Sequence, residues 1–357
     1  MASPNQPRPK GRGAPVSPPN RFETARLEDD LEQLQHSEPP PGRVATEFFA
    51  DSSQSVICKN NSPDIPFRYS INPYRGCEHG CAYCYARPGH ELLGMNAGID
   101  FESKVLVKRD AAKLLRRELA SKSWRGEPIA VSGVTDCYQP AERCFRITRS
   151  LLEVMAEANQ AVTLITKNAL VLRDLDLLAP MAARKLVHVG VSLTTLDASL
   201  ARTLEPRTSS PEARLRCIRE LSAAGVPVRA MTAPVIPGLN DEEIPQLLAA
   251  AKEAGAVSAS YILLRLPWAV APVFLEWLDA HRPLARAKVE SLIRASREGA
   301  LNDSQWGKRM RGDGAYAESI RQTFAVFARK HGLDQPSPPL DTTQFRPPTV
   351  GGQRMLF

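Results

Sequence analysis

The sequence predicts an α/β fold, a partial (β/α)6 barrel with a helical, basic C-terminal extension and disordered tails. Three observations support this prediction. The chain has 357 residues, 43% of them hydrophobic, which is enough to bury a sizeable core. Short apolar runs alternate with helical patterns, as in a parallel sheet covered by helices. Nine of the 30 prolines lie in residues 1–41 and five more in 336–348, so both ends read as poorly packed tails.

Six apolar segments are the predicted strands. They are short and rich in β-branched residues, which favours strands over helices. A complete TIM barrel has eight strand–helix units in about 250 residues, so six units predict an incomplete, TIM-like barrel. The six segments are 67–72, 128–136, 161–168, 185–195, 226–235 and 257–266.

Helical patterns follow several of these strands. Gly225 and Gly255 directly follow two of these helical patterns, at the position where a glycine in the left-handed conformation often ends a helix. A further short helix is predicted over 24–36, inside the first tail. The patterns within the barrel span 142–159, 170–179, 211–224 and 241–254. The predicted organisation is a disordered tail at 1–45, the barrel at 46–270, the helical basic extension at 271–334 and a flexible tail at 335–357.

Composition and charge narrow the class of protein. The chain has no run of 18 apolar residues, so we expect no membrane span. Its first residues lack the apolar core of a secretory signal, and we expect a cytoplasmic protein. Seven cysteines in such a chain favour metal binding or redox chemistry over disulfides. A net charge of +7 and a pI near 9.1 are compatible with a polyanionic partner.

The strongest chemical signal is a loop with three closely spaced cysteines, Cys77, Cys81 and Cys84. Gly76 and Gly80 give the loop the backbone freedom that a tight set of ligands needs. Structural zinc usually takes four ligands in two separated pairs, and no second pair follows here. Three thiolates suit a [4Fe-4S] cluster with one iron left open for a small chelating group. A zinc site with His79 as the fourth ligand is the alternative.

The CxxxCxxC loop resembles that of the radical S-adenosylmethionine superfamily, of which it is the hallmark. Tyr83 matches the aromatic residue that precedes the third cysteine in that family. The resemblance covers residues 70–270, and a partial barrel is the superfamily's fold. Three stretches are also similar to a narrower group related to spore photoproduct lyase and often labelled DNA-repair-photolyase-like, namely 70–87, 132–142 and 302–317.

This resemblance implies a [4Fe-4S] cluster and S-adenosylmethionine as cofactors. The amine and carboxylate of S-adenosylmethionine would bind the open iron. One electron from a flavodoxin- or ferredoxin-type reductant would then break a carbon–sulfur bond, and the 5′-deoxyadenosyl radical would remove a hydrogen atom from the substrate. The expected substrate is a nucleic acid, most of all damaged DNA. The alternatives are radical modification of RNA or protein, and a non-catalytic, metal-containing, clamp-associated protein that binds nucleic acid.

Polar residues at the ends of the predicted strands are the expected cofactor contacts, because sites in such folds lie at the carboxyl ends of strands. By resemblance to spore photoproduct lyase, Lys167 would pair with the methionine carboxylate, and Thr135 with Asp136 would orient the amine or ribose. The superfamily's common Gly-Gly-Glu segment is replaced by Ser-Gly-Val-Thr-Asp. Ordinary solvated loop starts are the alternative interpretation. The full expected set is Tyr83, Thr135, Asp136, Lys167, Ser192, Thr194 and Ile236, the last in a segment that resembles the one packing against adenine.

Two residues are candidates for catalysis. Cys137 directly follows Asp136 and should face the barrel mouth, where a thiol can quench a product radical, as a cysteine does in spore photoproduct lyase. A packed thiol is the alternative. Glu142, together with Arg207, is a candidate substrate contact, although the helix dipole alone favours a carboxylate near a helix start.

The C-terminal part of the chain carries two signals for partners. An exposed tryptophan among cations can stack on a base while the cations contact phosphates, and this pattern occurs at Trp306, Lys308, Arg309 and Arg311. A solvated helical face with one buried tryptophan is the alternative. The last five residues resemble the peptide by which bacterial repair and replication proteins bind the DNA sliding clamp, with Gln353, Leu356 and Phe357 as its anchors. Arg354 departs from that pattern, where leucine is commoner.

Overall fold

The computed structural model describes residues 11–22 and 44–349 and has an α/β fold with a mostly parallel sheet. Each of the six predicted strands is present. The strands are β1 Glu47–Ala50, β2 Cys58–Lys59, β3 Tyr69–Ile71, β4 Tyr74–Arg75, β5 Lys104–Val107, β6 Ile129–Val131, β7 Val162–Thr166, β8 Val187–Ser192, β9 Val228–Val235 and β10 Ser258–Leu263.

The main sheet has the strand order β10-β9-β8-β7-β6-β3-β2. All its neighbours pair in parallel except β2 and β3, which are antiparallel. The six predicted strands are therefore the six parallel ones, as expected for a partial barrel. Their carboxyl ends share one edge, which is where sites form in α/β folds. A small second sheet has the order β1-β5-β4, and in the chain β2 and β3 of the main sheet lie between β1 and β4.

Helices connect the parallel strands and continue beyond the sheet. They are α1 Ile99–Ser103, α2 Ala111–Leu119, α3 Glu142–Phe145, α4 Ile147–Glu157, α5 Leu175–Ala183, α6 Ala198–Leu204, α7 Pro211–Ala223, α8 Ile244–Glu253, α9 Val270–His281, α10 Arg286–Ala295 and α11 Gly314–Lys330. Among the residues that the structure describes, short 3₁₀ turns lie at Arg87–Gly89, Glu91–Leu93, Ala169–Asp174, Asp241–Glu243 and Pro283–Ala285. In the described part of the chain, no helix has the length and apolar composition needed to cross a membrane.

Local sequence explains where helices begin and end. The Ser210 hydroxyl accepts a hydrogen bond from the Ala213 amide at the start of α7, and Pro211 occupies its first turn. Gly225 and Gly255 have φ values of 78° and 101°, as predicted for glycines that close helices. The single helix expected over 142–159 is divided at Arg146, whose φ is 51°.

Parts of both expected tails are packed against the body, which corrects the prediction of disorder for those parts. Asn20 donates to the carbonyl oxygens of Glu91 (3.0 Å) and Met95 (3.3 Å). Near the other end, Phe345 packs on the core, and the Arg346 amide donates to the Ala158 carbonyl at 2.8 Å. A few hydrogen bonds and one phenyl ring hold these segments, and overall composition does not reveal them. The helix predicted over 24–36 lies outside the described residues.

Candidate functional site

The loop with the three cysteines follows β4 and depends on two glycines. Gly76 and Gly80 have φ values of 83° and 64°, in the left-handed region. A Cβ atom at Gly76 would lie 2.9 Å from the His90 ring, and one at Gly80 would lie 2.6 Å from a Glu102 carboxylate oxygen. No larger residue fits either position without displacing a neighbour, so the predicted role of these glycines agrees with the geometry.

Two buried side chains hold the backbone of this loop. The Gln139 amide accepts a hydrogen bond from the Glu78 N–H at 2.9 Å and donates to the Gly76 carbonyl at 3.1 Å, so it spans Cys77. Arg87 donates to the Cys81 carbonyl at 2.8 Å and pairs with Glu102 at 2.6 Å. Both residues lie in stretches that resemble the spore photoproduct lyase group, but nothing in their local sequence indicates this structural role.

The three thiols are shielded from water. Cys77 and Cys81 are buried and Cys84 is half-buried. Burial raises the pKa of all three thiols, and the neighbouring thiols add to the increase at Cys77. Arg87 and Lys167 act in the opposite direction on the pKa of Cys84, whereas at Cys81 the raising effect of Glu205 is larger than the lowering effect of Lys167. Thiolates bound to iron would find compensating charge here.

The thiols do not surround a single ion. Across residues 11–22 and 44–349, no three or more His, Cys, Asp and Glu side chains form a group that could hold a metal ion. An iron–sulfur cubane binds each cysteine through a different iron atom, so its ligands lie farther apart than those of one ion. Three soft thiolates from one buried loop fit such a cluster by the chemistry of the donors.

His79, the alternative fourth ligand, is buried and has partners at both ring nitrogens. Its Nδ1 atom lies 3.4 Å from the Asp136 carboxylate, and its Nε2 atom lies 3.3 Å from the Asn168 side-chain nitrogen. Burial lowers the pKa of His79. Neither nitrogen is free to bind a metal in this arrangement.

Asp136 and Thr135 shape the edge of the sheet between β6 and β7. The Asp136 carboxylate accepts hydrogen bonds from the Thr166 hydroxyl and the Lys167 amide, both at 2.7 Å. Thr135 is buried and donates its hydroxyl to the Tyr74 carbonyl at 3.0 Å. The Asn72 side-chain oxygen supports the same loop by accepting from three consecutive amides, those of Gly133, Val134 and Thr135.

Lys167 belongs to a buried network of charges that the sequence did not reveal. Its ammonium donates to Ser192 Oγ at 2.6 Å and Thr194 Oγ1 at 3.2 Å, and it lies 3.1 Å from Glu205. Glu205 also pairs with Arg214 and accepts the Tyr83 hydroxyl. Burial raises the pKa of Glu205, but Arg214 and Lys167 outweigh it and hold this pKa well below its usual range.

Four of the expected cofactor contacts are thus brought together, since Tyr83, Lys167 and Thr194 contact Glu205 and Ser192 joins them through Lys167. Ile236 joins them through packing, because it is buried in the same apolar cluster as Cys81 and Tyr83. Glu205 and Arg214 belong to no motif. Only the fold shows that they meet.

The two catalytic candidates are both fully buried, so Cys137 fits the alternative of a packed thiol, and the expectation that Glu142 contacts the substrate is corrected because its carboxylate is enclosed. Cys137 is fully buried in the main core, where its carbonyl accepts the Thr148 hydroxyl at 2.6 Å. Glu142 is also fully buried, and its carboxylate accepts the Tyr74 hydroxyl at 2.5 Å and pairs with Arg173 at 2.8 Å. It also accepts the Thr148 amide at 3.0 Å, which caps α4 after the break at Arg146.

Candidate partner residues in the C-terminal part are placed as follows. Trp306 is 64% exposed. Lys308 pairs with Glu298 (2.8 Å) and Asp313 (2.7 Å), and Arg309 pairs with Asp64 (2.5 Å). Arg311 lies over the Tyr261 ring at 4.4 Å, and Arg207 pairs with Glu78 at 3.1 Å. Gln353, Leu356 and Phe357 lie outside the described residues.

Comparison with known families decides what this arrangement belongs to. The sequence model described as the radical SAM superfamily matches residues 71–251, which include the loop and β6 to β9. The chain belongs to the radical SAM superfamily. The expected family is confirmed, and membership of it implies S-adenosylmethionine and a [4Fe-4S] cluster as cofactors.

Relatives of this radical SAM protein include an uncharacterized protein of Mycobacterium tuberculosis strain H37Rv. It is 36% identical over 306 residues, which cover 83% of this chain and 86% of that protein. An uncharacterized protein of Methanocaldococcus jannaschii is 33% identical over 184 residues, which cover 51% of this chain and 66% of that protein. Among solved structures, spore photoproduct lyase complexed with dinucleoside spore photoproduct has a TM-score of 0.57 at 16% identity, over 80% of this chain and 79% of that one.

Proposed function

We propose that this protein is a radical enzyme that holds a [4Fe-4S] cluster through Cys77, Cys81 and Cys84 and binds S-adenosylmethionine at the remaining iron, within a partial (β/α)6 barrel. When bound, these cofactors supply reductive cleavage of a carbon–sulfur bond and removal of a hydrogen atom from the substrate. A one-electron donor of the flavodoxin or ferredoxin type would provide the electron.

One observation carries this proposal. The loop offers three cysteine sulfurs, while both nitrogens of His79 already have partners in Asp136 and Asn168. Three ligands from the protein leave one iron of a cubane without a side chain, so a small chelating molecule such as S-adenosylmethionine can bind it. The fit is therefore to a cluster with an open iron rather than to a four-ligand structural site.

The surrounding residues have tasks that follow from their contacts. Asp136 fixes the β7 end through the Lys167 amide, and Lys167 places positive charge beside the sulfurs. Glu205 neutralises Lys167 and Arg214 and holds the Tyr83 ring in place through its hydroxyl. The packed apolar surface of Ile236 keeps water away from this part of the site.

The proposed substrate is a nucleic acid, most of all damaged DNA. The basic net charge of +7 supports a polyanionic substrate. The fold similarity to spore photoproduct lyase, whose structure holds a dinucleoside photoproduct, motivates the choice of a DNA lesion. Docking to a sliding clamp has no support from the related proteins and stays a prediction on Gln353, Leu356 and Phe357.

The test uses anaerobic protein with its cluster reconstituted and reduced, supplied with S-adenosylmethionine and ultraviolet-irradiated DNA. We expect 5′-deoxyadenosine to form faster with irradiated DNA than with unirradiated DNA or none. Cys81→Ala should lose both the visible cluster absorbance and this activity, whereas Cys144→Ala, an exposed cysteine outside the loop, should keep both. A rate of 5′-deoxyadenosine formation that is indifferent to DNA contradicts the proposed substrate.

A further inference from the structure

Arg265 lies just beyond the end of β10 and has no ion-pair partner among the described residues. Its guanidinium carbon is 4.7 Å from the centre of the Tyr85 ring, and Tyr85 directly follows Cys84. The acid whose charge acts on Arg265 is Asp64, and Asp64 is already paired with Arg309 at 2.5 Å. A half-buried guanidinium without a counter-ion keeps hydrogen-bond donors for an anionic ligand.

Trp268, three residues further on, presents a large ring to water. It is 65% exposed, and its φ of 45° lies in the left-handed region, which bulky side chains rarely adopt. The guanidinium carbon of Arg21 lies 4.2 Å from the ring centre, and Arg21 is itself anchored by an ion pair of 2.9 Å with Glu91. The N-terminal segment thus supplies a cation that orients the tryptophan.

These groups lie around the opening at the carboxyl ends of the parallel strands. The Tyr85 hydroxyl donates to the Gly133 carbonyl just beyond β6, while its ring lies under Arg265 just beyond β10. Tyr85 therefore spans from one strand end to another that is four positions away in the sheet order. The set borders the cysteine loop without belonging to the network around Glu205.

We propose that Arg265, Tyr85, Trp268 and Arg21, which we call the mouth platform, bind one nucleotide of a single-stranded or unstacked nucleic acid. The Arg265 guanidinium takes a phosphate and the Trp268 ring stacks on the base. Aromatic rings accept any base by stacking, and arginine suits phosphate because it can donate two parallel hydrogen bonds. This inference rests on the proposed function and names the residues by which its substrate is held.

The experiment measures the binding of a fluorescently labelled oligothymidylate by anisotropy, with anaerobic, cluster-loaded protein and no reductant. Trp268→Ala should weaken binding by about 5- to 150-fold, the loss associated with one stacked base. Trp306→Ala is the matched comparison, because Trp306 is a second exposed tryptophan (64% exposed) and is the base-stacking candidate from the sequence, so the two variants distinguish the two sites. We expect Trp306→Ala to change the dissociation constant less than twofold.

Arg265 is tested by the dependence of binding on salt. Arg265→Gln should reduce the slope of log K against log salt concentration by about 0.7, the value for one phosphate contact on a single strand. Arg125→Gln is the control, because Arg125 is exposed in the loop before β6, at the opposite ends of the strands. Its slope should equal that of the unmodified protein. Cluster absorbance and S-adenosylmethionine binding of each variant establish that it is folded.

The outcomes separate this inference from the proposed function. If Trp306→Ala weakens binding and Trp268→Ala does not, or if polyglutamate displaces the oligonucleotide equally well, the mouth platform is refuted while DNA-dependent 5′-deoxyadenosine formation can stand. If the unmodified protein binds no oligonucleotide and its cofactor cleavage ignores DNA, the proposed function fails as well.

Discussion

At the scale of single residues, Glu205 joins Tyr83, Lys167, Thr194 and Arg214 into one network. It compensates Lys167 and Arg214 and accepts the Tyr83 hydroxyl, all in a region closed to water. Buried charges are stable only when they are paired and hydrogen-bonded, so removing this carboxylate leaves two cations uncompensated.

Glu205→Gln should therefore lower the free energy of unfolding at pH 7 by about 3–5 kcal/mol. Because the pKa of Glu205 lies below its usual 4.5, its contribution is complete above pH 4.5 and is lost as pH falls through the lower, folded-state pKa. The difference between the two proteins should shrink over that acidic range. Urea unfolding of iron-free protein measures it without interference from acid loss of the cluster.

Glu220→Gln is the control for this prediction. Glu220 lies on α7, with a half-exposed side chain 3.5 Å from Arg216, and such surface pairs contribute about 0–1 kcal/mol. If the two variants lose the same free energy of unfolding, the charge of Glu205 does not stabilise Lys167 and Arg214 more than a surface ion pair would.

At the scale of elements, the N-terminal segment 11–22 packs directly on the cysteine loop. The Gly13 amide donates to the Glu102 carboxylate at 3.0 Å, and Glu102 in turn pairs with Arg87. A Cβ atom at Gly13 would overlap the carbonyl oxygen of Gly80. The segment therefore covers the outer side of the loop at a distance that only glycine allows.

Gly13→Ala should displace either the segment or the loop, at a cost of about 1–3 kcal/mol, which is typical of overpacking. We expect the cluster of this variant to lose its visible absorbance faster in air than that of the unmodified protein. Gly89→Ala is a matched control near the same loop, since a Cβ atom there meets nothing within 4 Å. Indistinguishable decay of the two variants would show that the segment does not protect the cluster.

At the scale of the whole molecule, the two ends of the parallel strands differ in function. The site residues lie at the carboxyl ends, while the C-terminal segment closes the opposite ends. There the Asp341 amide donates to the Lys185 carbonyl at 2.8 Å, and Phe345 packs against Gly126. Residues needed for function should therefore be conserved at the carboxyl ends of the strands, and residues needed for stability at the opposite ends.

Truncation after Asp334 should lower the melting temperature, by about 2–4 °C for each kcal/mol of lost packing, and leave 5′-deoxyadenosine formation at low temperature intact. Removal of residues 350–357 alone keeps every contact described for 335–349, and we expect it to leave the melting temperature unchanged. Loss of activity at low temperature in the longer truncation would contradict the division between the two faces.

The same scale shows which features a sequence can reveal. The six parallel strands were predicted because each is a short apolar run buried by helices, and the cysteine loop because its spacing is specific. Burial of Cys137 agrees with its interpretation as a packed thiol, whereas burial of Glu142 was not predicted, since position in a chain does not show which way a side chain faces. Order in the tails depends on single hydrogen bonds, such as those of Asn20. The overall composition of a segment does not show such individual bonds.

Arg87 makes five hydrogen bonds, to the carbonyl oxygens of Cys81, Ala97 and Gly98 and to the Glu102 carboxylate, and none of them involves a sulfur atom. Because no thiol takes part, binding of iron by the three cysteines does not require any of these bonds to break. The entropy of ordering the loop is therefore lost during folding, and it does not subtract from the affinity for the cofactor. A loop shaped in advance can be emptied and refilled without refolding, unlike a zinc finger, which is unfolded without its metal.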